Sequence, residues 1–125
     1  MNKDYLIYKL SDEVKNSCKI PKEDFTKYGV KRGLRNEDGS GVLVGLTNIG
    51  NVVGYERGED GVPRPCEGKL YYRGYELNDL VVPLLREKRF GFEEIAYLLL
   101  SGQLPDKEEL EAFKELLNEN MPLDH

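Results

Sequence analysis

Apolar residues in the first stretch of the chain fall four apart, at Leu6, Leu10 and Val14. That spacing puts them on one face of a helix and predicts helix from Lys3 to Cys18. A second helix start is read at Ile20-Pro21-Lys22-Glu23-Asp24. Pro21 suits a first helical position, where a missing N–H costs nothing, and the acids suit the positive end of the helix dipole. Gly29 ends it, since glycine readily takes the left-handed conformation beyond a helix. From Gly33 to Gly74 the pattern changes to β-branched and aromatic clusters between recurrent glycines. Val52-Val53-Gly54-Tyr55-Glu56 and Lys69-Leu70-Tyr71-Tyr72-Arg73 predict short strands. Glu59-Asp60-Gly61 predicts the hairpin between them, because Asp-Gly supplies positive φ. Pro63 and Pro65 cannot donate to a ladder, so a strand through them lies at an edge or breaks there.

From Tyr75 onward the period becomes helical. Asn78 is expected to cap a helix through Leu80, Val81, Leu84 and Leu85, with Pro83 kinking or shortening it. Phe92, Ile95, Ala96, Leu98 and Leu99 predict the apolar face of the next helix, with Glu93 and Glu94 in its first turn and Gly102 at its end. Asp106 and Glu109 form a capping-box pair at the start of a last helix, whose inner face is Leu110, Phe113, Leu116 and Leu117. The short link Gly102-Gln103-Leu104-Pro105 makes these two helices packed neighbours. The fold class expected is mainly α with a small antiparallel β element. Three segments, 1–32 helical, 33–74 glycine-rich β-hairpin and 75–125 helical, together read as one truncated domain.

Composition narrows this picture. With 39% hydrophobic and 33% charged residues the chain buries a modest core and is rich in surface. A net charge of −5 argues against nucleic acid, whose phosphates require Lys and Arg. Lys31, Arg32 and Arg35 cluster, but Glu37 and Asp38 follow at once, and the segment reads as a solvated loop. Cys18 and Cys66 lack any zinc or CxxC spacing and read as reduced thiols of a cytoplasmic protein, with a Cys18–Cys66 disulfide the lesser alternative on count alone. No signal-peptide pattern and no long apolar run is present, so no membrane partner is expected.

The candidate chemistry is sparse. Gly39-Ser40-Gly41 is too short to be a phosphate loop, there being no Gly-x-Gly-x-x-Gly and no Gly-Lys-Ser/Thr. Glu93 and Glu94 are neighbours on a helix, about 100° apart, and cannot work as a carboxylate pair. Glu108, Glu109 and Glu111 read as a solvated helix face. His125, the only histidine, is a terminal residue free to fray and reads as neither base nor ligand. Arg73 alone stands out, following two tyrosines where strand gives way to helix. Its guanidinium suits an internal ion pair fixing that turn, a carboxylate or phosphate, or stacking on Tyr72 or Tyr75.

One order of elements runs through the chain from Gly41 to Phe113. It comprises Gly45-Leu46-Thr47-Asn48-Ile49 as a short glycine-led strand, then Gly68-Lys69-Leu70-Tyr71-Tyr72-Arg73-Gly74-Tyr75. The helix Phe92-Glu93-Glu94-Ile95-Ala96-Tyr97-Leu98-Leu99-Leu100 follows, then Gly102-Gln103-Leu104-Pro105 and Glu108-Glu109-Leu110-x-x-Phe113. This order resembles the N-terminal region of citrate synthases, which condense acetyl-CoA with oxaloacetate to give citrate and CoA in the tricarboxylic acid cycle. Two departures are the longer stretches Gly54–Glu67, suggesting an extended hairpin, and Val82–Arg89. The resemblance implies the N-terminal part of an all-α fold and a homodimer when complete. Its partners would be the remainder of the chain and the substrates acetyl-CoA and oxaloacetate, with no cofactor and no metal. The family's catalytic histidines and carboxylate match no position here, so no catalytic residue is assigned, substrate-binding residues stay unknown, and this piece is expected to be inactive alone. The near alternative is a 2-methylcitrate synthase; a different one is a non-catalytic helical interaction module.

Overall fold

A computed structural model describes residues 2–30, 35 and 41–122. Its elements run α1 (Lys3–Ser17), α2 (Lys22–Lys27), β1 (Gly50–Arg57), β2 (Pro63–Tyr72), β3 (Tyr75–Glu76), α3 (Leu77–Glu87), α4 (Phe92–Ser101) and α5 (Lys107–Glu119). The chain is thus about half helical with one small three-stranded antiparallel sheet, ordered β1-β2-β3. Among the described residues no helix is long and apolar enough to cross a membrane.

The core forms where α1, α4 and α5 meet. Leu6 and Leu10 pack with Tyr97, Ala112 and Phe113, and the Tyr97 and Phe113 rings meet edge to face at 5.5 Å between centroids. Each large side chain removed from water here contributes about 1.5–3 kcal/mol. Lys9 pairs with Glu109 and Lys3 with Glu119, so charged contacts also tie α1 to α5. The capping box at Asp106 is present in both directions, with Glu109 N–H donating to Asp106 Oδ1 at 2.8 Å and Asp106 N–H to Glu109 Oε2 at 3.0 Å. Glu109 is therefore an engaged, largely buried carboxylate, not part of a solvated face. Gly102 closes α4 with φ 87 and Gly29 follows α2 with φ 62, both as expected.

Other expectations need correction. Pro21 is the N-cap of α2, one position before its first helical residue. Residues Gly45–Ile49 form no strand; β1 begins at Gly50. Among the described residues the only sheet contact in that run is the Ile49 carbonyl, which accepts from Arg73 N–H at 2.8 Å, and a strand requires a continuous ladder partner. Asn78 does not cap α3. The helix leaves β3 directly, with Glu76 as N-cap and the Asn78 amide turned back to Glu76 Oε1 at 3.4 Å. Pro83 lies inside α3 and the helix continues through it to Glu87. Pro83 is exposed, so water can reach the Asp79 carbonyl that loses its helical donor. Phe92 is 72% exposed, whereas Tyr97, absent from the expected apolar face, is 1% exposed. Leu98 is fully buried as expected, and Tyr97 and Ser101, one turn apart, complete the buried positions of α4.

The extended hairpin is present. β1 pairs with β2 from Gly50 opposite Tyr72 to Arg57 opposite Pro63, and Gly61 turns the connection at φ 73. An irregularity sets Gly54 against Cys66, Glu67 and Gly68. Gly58 N–H donates to Val62 O at 3.2 Å, which makes that pair hydrogen-bonded and the next, Arg57–Pro63, not. By alternation Tyr55–Pro65 is also non-bonded, so both proline nitrogens face the outer edge of β2. They remove no rung of the hairpin ladder, which explains why the strand tolerates them. β3 covers β2 only at Tyr71 and Tyr72.

Candidate functional site

The described residues converge most at Arg73. Tyr72 pairs with Tyr75, leaving Arg73 and Gly74 as a two-residue hairpin turn with φ 49 and φ 89. Positive φ at both central positions matches the right-handed twist of flanking strands. An arginine there bears a steric cost that glycine does not, and that cost is offset by what its side chain reaches.

The guanidinium sits at the C-terminal ends of two helices. Nε and Nη2 both donate to the Leu99 carbonyl of α4, at 3.0 and 2.7 Å. Nη1 donates to the Ser17 carbonyl of α1 at 3.2 Å and to Asn48 Oδ1 at 3.0 Å, and Nη2 reaches Ser17 Oγ at 3.3 Å. Asn48 completes the junction by donating its amide to the Ser17 carbonyl. The last carbonyls of a helix lack intrahelical donors and carry the negative end of its dipole, so one cation satisfies both ends. The internal ion pair expected for Arg73 is therefore corrected: its partners are uncharged oxygens. All five of its N–H donors are engaged, which leaves no open edge for an anion.

Two clefts flank this junction. One, of ≈ 420 Å³, opens between Thr47, Asn51 and Tyr71. The other, of ≈ 510 Å³, lies between the ends of α1 and α4 and is walled by Glu13, Asn16 and Gln103. Glu13 Oε2 and Tyr97 Oη are buried without a hydrogen-bond partner. Burial, then the Glu13 and Asp106 charges, push the Tyr97 hydroxyl up to about 12, so it stays protonated. Glu93 and Glu94 are not paired with one another; Glu94 pairs with Arg89, which Glu87 holds from the other side, and these contacts raise the Arg89 pKa. Glu111 pairs with Lys114. Arg35 makes an isolated bridge with Gly41, while Lys31, Arg32, Gly39, Ser40 and His125 lie outside the described residues. Cys18 is exposed, Cys66 half-buried, and both are free thiols. Among the described residues no group of three or more His, Cys, Asp or Glu is placed to hold a metal ion.

Sequence reasoning found Arg73 but missed Ser17 and Asn48, the residues that make it a junction. A usable signal was Tyr72-Arg73-Gly74-Tyr75, two strand formers around a turn ending in glycine. It implies a hairpin, with Arg73 pointing away from both strands.

Comparison with known proteins agrees with this pattern. The family model "Citrate synthase, C-terminal domain" matches residues 34–125. The chain is similar to the citrate synthase of Saccharolobus solfataricus, 37% identical over 91 residues, covering 72% of this chain and 18% of that protein. It is similar to the citrate synthase of Haloferax volcanii, 40% identical over 95 residues, covering 76% and 19%. It is also similar to the 2-methylcitrate synthase of Mycobacterium tuberculosis, 35% identical over 86 residues, covering 69% and 16%. The chain thus spans less than a fifth of the length of these relatives. No solved structure matches it significantly. On the family match and these relatives together, the chain belongs to the citrate synthase family.

Proposed function

We propose that this chain is the N-terminal segment of a citrate synthase, a cytoplasmic and homodimeric enzyme of the tricarboxylic acid cycle. In the whole, largely helical subunit, acetyl-CoA condenses with oxaloacetate to give citrate and CoA, with no added cofactor. The segment contributes scaffold and is inactive alone. The observation that carries this is the family match over residues 34–125 in a chain that spans only 18–19% of the citrate synthases it resembles. Arg73 supports it, because its donors are spent on joining α1, α4 and the loop at Asn48.

The 35% identity to a 2-methylcitrate synthase favours a second reading, in which the acyl donor is a longer acyl-CoA. Acyl preference is decided by pocket residues elsewhere in such an enzyme. The test is thiol release from acetyl-CoA plus oxaloacetate by the purified chain. Background release is expected, and turnover of about 1 per second or more, an ordinary enzymatic rate, refutes the scaffold reading.

A further inference from the structure

We infer that the outer edge of β1 pairs with β1 of a second copy of this chain, antiparallel across a twofold axis, so that two three-stranded sheets join edge to edge. The inference rests on the hairpin alone and not on the functional reading above. Among the described residues no strand covers this edge. Val52 and Tyr55 on it are 75% and 68% exposed. The backbone groups it offers follow from the ladder behind it. Arg73 N–H donates to Ile49 O, so Ile49–Arg73 is a hydrogen-bonded pair and, by alternation, Gly50–Tyr72 and Val52–Leu70 are not. Beyond the irregularity at Gly54 the phase is set by Gly58 and Val62, which leaves Tyr55–Pro65 and Arg57–Pro63 non-bonded. Gly50, Val52, Tyr55 and Arg57 therefore turn their N–H and C=O groups away from β2.

The spacing of those four residues selects the occupant. They stand two, three and two positions apart, the longer step falling at the irregularity. A regular strand offers outward groups at every second residue, so it matches Gly50 and Val52 or Tyr55 and Arg57, but not all four. A second β1 carries the same longer step, and the order of steps is identical in both directions. One antiparallel register then pairs every outward group: Gly50 with the partner's Arg57, Val52 with the partner's Tyr55, and the reverse of each. The direction of the N–H and the face of the side chain alternate together along a strand, so Val52 and Tyr55 lie on one face of the sheet. Each exposed valine thereby meets an exposed tyrosine, and aromatic–β-branched pairs of this kind stabilise sheets. The charges are compatible as well. Glu56 falls opposite the partner's Asn51 and Arg57 opposite the partner's Gly50, so no like charges face one another.

Sedimentation of the purified chain tests this. A reversible dimer of twice 14.3 kDa is expected to form as concentration rises. Val52→Pro removes an outward N–H that the hairpin ladder does not use, and Tyr55→Lys sets a charge against the partner's Val52. Each should weaken the dimer about tenfold or more while the circular dichroism of the chain is kept. The register is read by oxidation in a Cys18→Ser, Cys66→Ser background. Asn51 and the partner's Glu56 form a non-bonded pair, whose Cα separation of about 4.5 Å suits a disulfide. A mixture of Asn51→Cys and Glu56→Cys chains should crosslink on a non-reducing gel, and neither chain should do so alone. A chain that stays monomeric up to about 1 mM, where association is weak, overturns the inference. A dimer that Tyr55→Lys or a folded Val52→Pro leaves intact overturns it too, placing self-association on another face. Crosslinking no better in the mixture than with one chain does the same. If Val52→Pro loses its circular dichroism, Tyr55→Lys and the crosslink decide. Thiol release remains the separate readout of the functional reading.

Discussion

Replacing Arg73 tests the junction directly, because its backbone and side chain pull in opposite directions. Arg73→Ala removes the donors to Leu99 and Ser17 while keeping a Cβ at φ 49. A hydrogen bond from a charged donor contributes about 1.5–3 kcal/mol, and part of that is recovered when water reaches the freed carbonyls. Two carbonyls losing their cation therefore cost about 3 kcal/mol. Arg73→Gly loses the same bonds but relieves the left-handed strain, worth about 1 kcal/mol, and should cost about 2 kcal/mol. The order expected in urea unfolding followed by circular dichroism is wild type, then Arg73→Gly, then Arg73→Ala. Domain stabilities are about 5–15 kcal/mol, so both losses are easily measured. If alanine equals or exceeds glycine in stability, the turn carries no such strain. A loss below about 1 kcal/mol for both variants refutes the helix-end junction.

Three further outcomes follow from the same packing. Asp106→Ala breaks the capping box of α5 and should cost about 1 kcal/mol in chemical denaturation, with Asp106→Asn recovering part of it. Tyr97→Phe removes a buried hydroxyl that has no partner, so neutral-pH stability should be unchanged or higher. The same variant tests pH dependence. An unfolded tyrosine ionises near pH 10 and the folded Tyr97 near 12, so the native state holds the extra proton and stability falls as pH rises through this window. Thermal melts of Tyr97→Phe should show a smaller decline there than wild type. Gly102→Ala imposes a Cβ at φ 87 on the end of α4 and should lower stability by about 1 kcal/mol in the same urea titration.

Local signals with a single physical meaning were legible in the sequence. The Asp106–Glu109 box, Gly102 and Gly29 at helix ends, and Asp60-Gly61 in the hairpin each state a backbone requirement that no tertiary contact contradicts. Pro63 and Pro65 announced an unpaired edge, and the register places them on one. What escaped were features decided by distant partners. Asn78 is a good cap in isolation, but β3 feeds α3 from Glu76 and takes the position away. Tyr97 looked like one aromatic among several until α1 and α5 closed over it. Arg73 suggested an ion pair because sequence displays charges and hides carbonyls. The two helix ends that hold it lie 56 and 26 residues away along the chain.

The hairpin's two margins are unequal. Pro63 and Pro65 aim their donor-less nitrogens outward along β2, while β1 presents Gly50–Arg57 with no proline and, among the described residues, no covering strand. A sheet blocked on one flank and available on the other can accept a visitor only once, so strand-wise growth stops at a single added ribbon.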